Sequence, residues 1–297
     1  MSNFSVATQD QTTTRANTLL DDADDIQKQL DNEARNKMGK LNSMNENTLE
    51  KLAKKGQMNW PLEYPECGGR SQSPIDLPKN GLIKTKEGRP LVFVNYNKKP
   101  KDLYAINDGN RLRITGSWDK KDQPMIYGGA AHNRRYLFHS LTLHWPSEHA
   151  IEGLQFPLES QVLHVSAEYQ TLEDAVMSSK KDRLAFLGVV NLFMYKNNTQ
   201  TGVEEIIEAI KTGAVNSSLD VQSLGYFSPT FKHYASYHGS LTIPPCTEAV
   251  LWLIRDKTLP ITRKTAKEFH NLLVEDFQGS LLRHTQPLND RRVYLFN

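Results

Sequence analysis

The chain has 297 residues, of which 38% are hydrophobic and 24% charged, and it carries a formal net charge of +2 and only two cysteines. This length suits one large domain or two small ones. The composition excludes a fully disordered protein, and the balanced charge argues against a dedicated nucleic-acid binder. No apolar run reaches the ~18 to 20 residues of a membrane span, and Met1–Asp10 lacks the apolar core of a signal peptide. The two cysteines can be a bonded pair or two free thiols.

Residues 1–58 are predicted to form a polar, amphipathic helical extension. Within 18–53, leucines recur every eleven residues, at Leu19, Leu30, Leu41 and Leu52. An eleven-residue period keeps one face of a nearly straight helix apolar. Two interpretations stay open. The helices lie on the following domain or in a mobile arm, or the apolar stripe serves self-association or docking to a protein partner.

Residues 59–297 are predicted to form one α+β domain with a large, mainly antiparallel sheet. Short apolar or alternating runs, bounded by Gly, Asn, Pro and Asp, predict strands, and amphipathic periodicity predicts helices. The predicted strands are 91–96, 111–118, 136–145, 161–166, 185–195 and 249–254. The predicted helices are 171–177, 203–212 and 262–274.

Six short motifs in this domain point to a known family. They are Gln72-Ser73-Pro74-Ile75, Leu143-His144-Trp145, Ser147-Glu148-His149, Glu159 followed by Val162-Leu163-His164, Gly239-Ser240-Leu241-Thr242-Ile243-Pro244-Pro245, and Gln286-Pro287-Leu288. In this order and spacing they resemble the alpha-class carbonic anhydrases over about residues 60–297. The resemblance implies a single domain with a twisted central sheet and peripheral helices.

The resemblance also implies a metal site, which this sequence changes. In that family three histidines hold Zn²⁺ and leave a fourth position open, where the bound water ionises near neutral pH and attacks carbon dioxide. Here Thr142 and Gln161 stand at two of the three ligand positions, and only His144 is kept. A hydroxyl and an amide are poor zinc ligands, so we expect zinc to be absent. His139 lies an odd number of residues from His144, which on a regular strand places it on the opposite face.

Three further positions depart from the family pattern. Asn110 stands where efficient members carry a proton-shuttling histidine, and an amide does not titrate near neutral pH. Phe186 replaces the small residue of the carbon dioxide pocket and Ile243 replaces a threonine, and both residues are expected to block the pocket. These changes predict a pseudoenzyme.

Other residues of the family's site are retained. Glu148 and Thr242 match the pair that orients the zinc-bound hydroxide, and Glu159 matches the carboxylate that steadies a ligand histidine. His149 and His164 match structural histidines. Without metal we expect a buried polar network that joins Glu148 to Thr242, and Glu159 to His149 and the Gln161 amide.

Cys67 and Cys246 match two positions that form one disulfide in many secreted members of the family. The resemblance therefore implies a bond between them and an extracellular or secreted protein.

The leading functional hypothesis is a non-catalytic binding or structural protein. One alternative is a weak zinc-dependent carbonate dehydratase or esterase that uses His144.

Another alternative is a glycosaminoglycan-binding adhesion or virion surface protein. The catalytically silent members of the family include poxvirus envelope proteins that bind glycosaminoglycans. Clustered basic residues would then bind the acidic polysaccharide. They are Lys98, Lys99, Lys101, Lys120, Lys121, Arg134, Arg135, Lys180, Lys181 and Arg183.

Overall fold

The computed structural model describes residues 59–85, 89–107, 112–179, 181–211, 216–276 and 282–297. The predicted extension 1–58, Asn110 and Lys180 lie outside these ranges, so the extension and its partner remain predictions. Residues Trp60–Asn297 form one compact unit. Among the described residues, no helix is long and apolar enough to cross a membrane.

Sixteen strands and five α-helices are assigned within the described ranges. The strands are β1 (Asp76–Leu77), β2 (Ile83–Lys84), β3 (Leu91–Val94), β4 (Asp102–Asn107), β5 (Leu112–Ser117), β6 (Met125–Gly128), β7 (Tyr136–His144), β8 (Ala150–Ile151), β9 (Leu154–Gln155), β10 (Leu158–Ser166), β11 (Phe186–Tyr195), β12 (Asn216–Ser218), β13 (Tyr234–Gly239), β14 (Val250–Arg255), β15 (Leu259–Ile261) and β16 (Tyr294–Phe296). The helices are α1 (Trp60–Glu63), α2 (Leu172–Ser178), α3 (Val203–Ile210), α4 (Leu224–Phe227) and α5 (Arg263–Asp276).

One large sheet dominates the molecule, in the strand order β12-β4-β5-β7-β10-β11-β14-β13-β16-β2. Strands β10 and β7 pair antiparallel, as do β10 and β11, whereas β11 and β14 run parallel. A smaller sheet joins β1, β8 and β9. The predicted class, α+β with a mainly antiparallel sheet, is confirmed.

The central strands are buried on both faces of the sheet. Side chains of β10 and β11 alternate between two apolar clusters, because successive residues of a strand point to opposite faces. One face holds Val162, Val189 and Phe193, and the other holds Phe186 and Val190. Polar side chains that fall on these strands are therefore removed from water and require hydrogen-bond partners.

Two of the helices begin at local hydrogen-bond signals. The Thr171 hydroxyl accepts from the Asp174 backbone amide and caps α2. Before α3, the Glu204 carboxylate accepts from both the Thr201 amide and the Thr201 hydroxyl, which closes the first turn. These contacts explain why the helices begin within one residue of the predicted positions.

Candidate functional site

Strand register gathers three of the predicted site residues on one face of the sheet. Thr142 of β7 lies directly opposite Gln161 of β10, and His144 lies two residues farther along β7. Residues two apart on a strand share a face, and directly opposed residues are neighbours. The Thr142 hydroxyl lies 3.1 Å from His144 Nε2.

The Gln161 side chain links the two retained carboxylates. Its amide nitrogen donates to Glu148 Oε2 at 2.7 Å and to Glu159 Oε1 at 2.8 Å, and its amide oxygen accepts from the Thr242 hydroxyl at 3.4 Å. Glu148 and Glu159 are 1% and 0% exposed, so they depend on such donors. The backbone amide of Arg283 donates to the second oxygen of Glu148 at 3.0 Å.

Glu159 anchors a chain of polar groups that leads away from Gln161. Its two oxygens lie 2.8 Å from His149 Nδ1 and 2.7 Å from the His149 backbone nitrogen, which donates to it. Burial alone would raise the pKa of Glu159, but the contacts with His149 outweigh it and lower that pKa. On the other side of the ring, His149 Nε2 lies 2.7 Å from the Tyr237 hydroxyl, whose oxygen is 2.9 Å from Ser73 Oγ.

The structure adds geometric detail to two sequence-based expectations at this site. Gln161 lies between Glu148 and Thr242, so these residues are joined through the amide rather than directly. His139 lies at an irregularity of β7, where Leu163 opposes Ser140 and His164 opposes Phe138. This β-bulge leaves His139 without a directly opposed residue, so counting residues from His144 does not fix its face.

Two residues that the sequence analysis did not single out also belong to the site. Arg113 of β5 lies directly opposite Thr142, on the side away from Gln161. Together with burial, its positive charge lowers the pKa of His139. The guanidinium of Arg283, which is 4% exposed, donates to the Ser73 carbonyl at 2.8 Å and to the Cys67 carbonyl at 3.1 Å, among other contacts. Arg113 and Arg283 could be assigned to the site only from the strand order and the path of the chain in the structure.

The structure places both residues that were expected to block the carbon dioxide pocket. Phe186 is fully buried on β11 and shares its sheet face with Val190, which opposes Gln161. Ile243 is half-buried and directly follows Thr242. Within the described ranges, no group of three or more His, Cys, Asp or Glu side chains is placed to hold a metal ion.

Comparison with known proteins identifies the family. The sequence model of the eukaryotic-type carbonic anhydrases matches residues 55–297. The chain belongs to this family. Carbonic anhydrase 6 of Mus musculus is 29% identical over 254 residues, which cover 80% of this chain and 77% of that relative. Carbonic anhydrase 15 of Mus musculus is 29% identical over 259 residues, with coverage of 80% and 79%, and carbonic anhydrase 6 of Bos taurus is 30% identical over 255 residues, with coverage of 80% and 76%.

The disulfide implied by the resemblance to carbonic anhydrases is confirmed. Cys67 and Cys246 are bonded, at a sequence separation of 179 and with their Cα atoms 4.9 Å apart. Gln72 and Arg283 donate to the carbonyls of Cys246 and Cys67, so hydrogen bonds support both ends of the bridge. The bond ties the start of this carbonic anhydrase domain to the loop that follows Thr242.

Several of the predicted basic clusters are engaged in ion pairs. Lys101 Nζ lies 2.6 Å from Asp119 Oδ1, and Lys98 Nζ lies 4.0 Å from Asp122 Oδ1. Arg134 pairs with Asp182 at 2.6 Å. The two lysine pairs are exposed and contribute little to stability, and all three pairs neutralise part of the charge that an acidic polysaccharide would meet.

His164, on the opposite face of β10 from Gln161, is held as a neutral imidazole. Its Nδ1 lies 3.1 and 3.3 Å from the carbonyl oxygens of Val162 and Leu187, which only accept hydrogen bonds, so Nδ1 carries the hydrogen. Its Nε2 then accepts from the Tyr96 hydroxyl at 2.7 Å. Complete burial lowers the pKa of His164 to about 3.

Acid is therefore expected to destabilise this domain through His164. The unfolded chain binds a proton at this residue below pH ~6.5, whereas the folded chain does so only below about 3. The contribution of neutral His164 is complete above pH ~6.5 and falls by about 1.4 kcal/mol per pH unit as the pH drops toward 3. Urea unfolding of wild type and His164→Gln at pH 5.0 and 6.5 should show the stability difference shrink by about 2 kcal/mol at the lower pH. An unchanged difference would show that the folded protein protonates His164 normally.

Proposed function

We propose that this carbonic anhydrase family member is not an enzyme and acts by binding or as a structural component. The observation that supports this most is the Gln161 amide between Glu148 and Glu159. It satisfies two buried carboxylates with neutral hydrogen-bond donors, at the position where the family places a metal-ligating imidazole. The amide thereby gives each of the two carboxylates one hydrogen bond that requires no metal ion.

The donor groups at this position fit zinc poorly. Zn²⁺ in proteins favours imidazole nitrogen and thiolate sulfur, and catalytic sites supply three protein ligands. Here only His144 offers an imidazole, and its Nε2 is hydrogen-bonded to the Thr142 hydroxyl. The Gln161 nitrogen donates to both carboxylates and so cannot act as a ligand. We therefore infer that no tight zinc site forms from Thr142, His144 and Gln161.

Metal analysis and carbon dioxide hydration together test this proposal. Protein prepared with excess Zn²⁺ and then dialysed should hold well below one zinc per chain, and stopped-flow hydration should equal the buffer rate. Carbonic anhydrase 6, treated identically, provides the positive control for both measurements. Stoichiometric zinc with turnover above the buffer rate would refute the proposal and favour the weak hydratase alternative.

We also propose an oxidising compartment, outside the cell or on its surface. The support is the Cys67–Cys246 disulfide, because such bonds persist where thiols are not kept reduced. A thiol assay on unfolded protein, isolated from its source with alkylating agent and no reductant, should find no free thiol. Two free thiols in that assay would place the protein in a reducing compartment.

A further inference from the structure

A cavity lies on the face of the sheet opposite the Gln161 network. Its floor is formed by Leu141 and Leu143 of β7, Ser160 of β10 and Phe193 of β11. On β7 these leucines alternate with Thr142 and His144, so the cavity and the polar network are separated by the sheet. The cavity measures about 130 Å³.

Elements outside the sheet form the walls and the opening. The start of α3 contributes Val203 and Ile206, and Pro260 of β15 closes another side. Gln200 and Tyr226 also line the cavity and are exposed to solvent, so it opens to the surface beside them. Among the described residues, no Asp, Glu, Lys, Arg or His side chain lines it. A charged molecule would lose its hydration here without gaining an ion-pair partner.

The floor nevertheless contains one hydrogen-bonding group with unused capacity. Ser160 is 1% exposed, and its Oγ accepts from Asn191 Nδ2 at 3.1 Å. Asn191 is fully buried, and its Oδ1 has no hydrogen-bond partner among the described residues. The Ser160 hydroxyl hydrogen likewise has no acceptor within the described part of the chain, so it is available to a molecule in the cavity.

We propose that this cavity binds a small neutral molecule with an apolar body and one oxygen acceptor, such as a ketone, an ester or an ether. The apolar walls would hold the body, and the Ser160 hydroxyl would donate to the oxygen. A volume of this size accommodates about six to eight non-hydrogen atoms, since a cavity of about 150 Å³ holds benzene. The inference is independent of the proposed function, because the two sites lie on opposite faces of the sheet.

Two probes of matched shape test the hydrogen bond. Ligand-observed NMR with cyclohexanone is expected to give saturable binding with a Kd of about 1 mM, typical of a ligand with so few atoms. Ser160→Ala should weaken cyclohexanone binding about five- to tenfold and leave cyclohexane binding unchanged. Ser140→Ala changes a buried serine on the other face of the same sheet and should alter neither.

A cavity-filling variant tests the location. Leu143→Phe is expected to abolish binding of both probes while its thermal unfolding midpoint stays within a few degrees of wild type. Ser160→Leu provides a second filling variant if the first fails to fold. The proposal is overturned if wild type binds no cyclohexanone up to 20-fold above the expected Kd, if a folded filling variant still binds, or if Ser160→Ala weakens both probes equally.

Discussion

Removal of the Cys67–Cys246 disulfide is expected to lower the free energy of unfolding by about 5 kcal/mol. The bond joins two cysteines at a sequence separation of 179, and the entropy that a cross-link withholds from the unfolded chain grows with the length of the closed loop. Both cysteines are buried, so alanine is a better replacement than serine, whose hydroxyl would need a new partner. Urea unfolding of Cys67→Ala/Cys246→Ala should show the loss as a lower midpoint.

Reduced wild type is the matched control for this variant. It lacks the cross-link but keeps both sulfur atoms in the core, so the difference between reduced wild type and the double variant measures packing alone. We expect the two to agree within about 1 kcal/mol, since two buried sulfurs are a small loss. If oxidised wild type were no more stable than reduced wild type and the double variant, residual order in the unfolded chain would already restrict the loop.

Restoring two imidazoles should create zinc affinity where wild type has none. In Thr142→His/Gln161→His, residues 142 and 144 share one face of β7 and residue 161 opposes residue 142, so three imidazoles face one point. Three histidine ligands suffice for a zinc site with one open position. We expect a Kd below about 1 µM by competition with a chromophoric chelator, which corresponds to at least about 8 kcal/mol.

The controls for this variant separate geometry from chance metal binding. Thr142→His alone and the double variant with His144→Ala each leave two imidazoles and should bind at least a hundredfold more weakly. Hydration of carbon dioxide should stay low in the double variant, because the Phe186 ring still fills its buried position. Absence of zinc binding in a folded double variant would show that side chains at 142, 144 and 161 do not converge.

The sequence predicted several of the elements that bury apolar side chains. Strands β7 and β11 and helices α2 and α3 begin within one residue of their predicted positions, because Leu, Val, Ile and Phe define their periodicity. Strand β10 begins three residues earlier than predicted, since Glu159 and Ser160 are polar yet buried. Strand β13 was not predicted at all, because Ser236 and Tyr237 lie in the interior and obscure the alternation.

The residue types of the site and the contacts of Glu159 with His149 and Gln161 were predictable, but the remaining contacts were not. Family motifs named Glu148, Glu159 and Gln161, yet the position of the Gln161 amide between the carboxylates depends on side-chain geometry. The contribution of Arg113 depends on which strand lies beside β7. The bulge at His139 inserts one extra residue into β7, and no local sequence pattern predicts it. Such features arise from long-range pairing, about which a single sequence carries little information.

Burial of β10 and β11 on both faces also affects how this protein exchanges its amide hydrogens with solvent. The amides of Val162 and Val189 are covered by packed side chains and paired with neighbouring strands, so no local fluctuation of a loop or terminus exposes them. Their deuterium uptake would occur only when the whole domain opens. The exchange rates of these amides therefore report the free energy of global unfolding in native buffer. Comparing them with and without the disulfide would measure the loss of stability without denaturant.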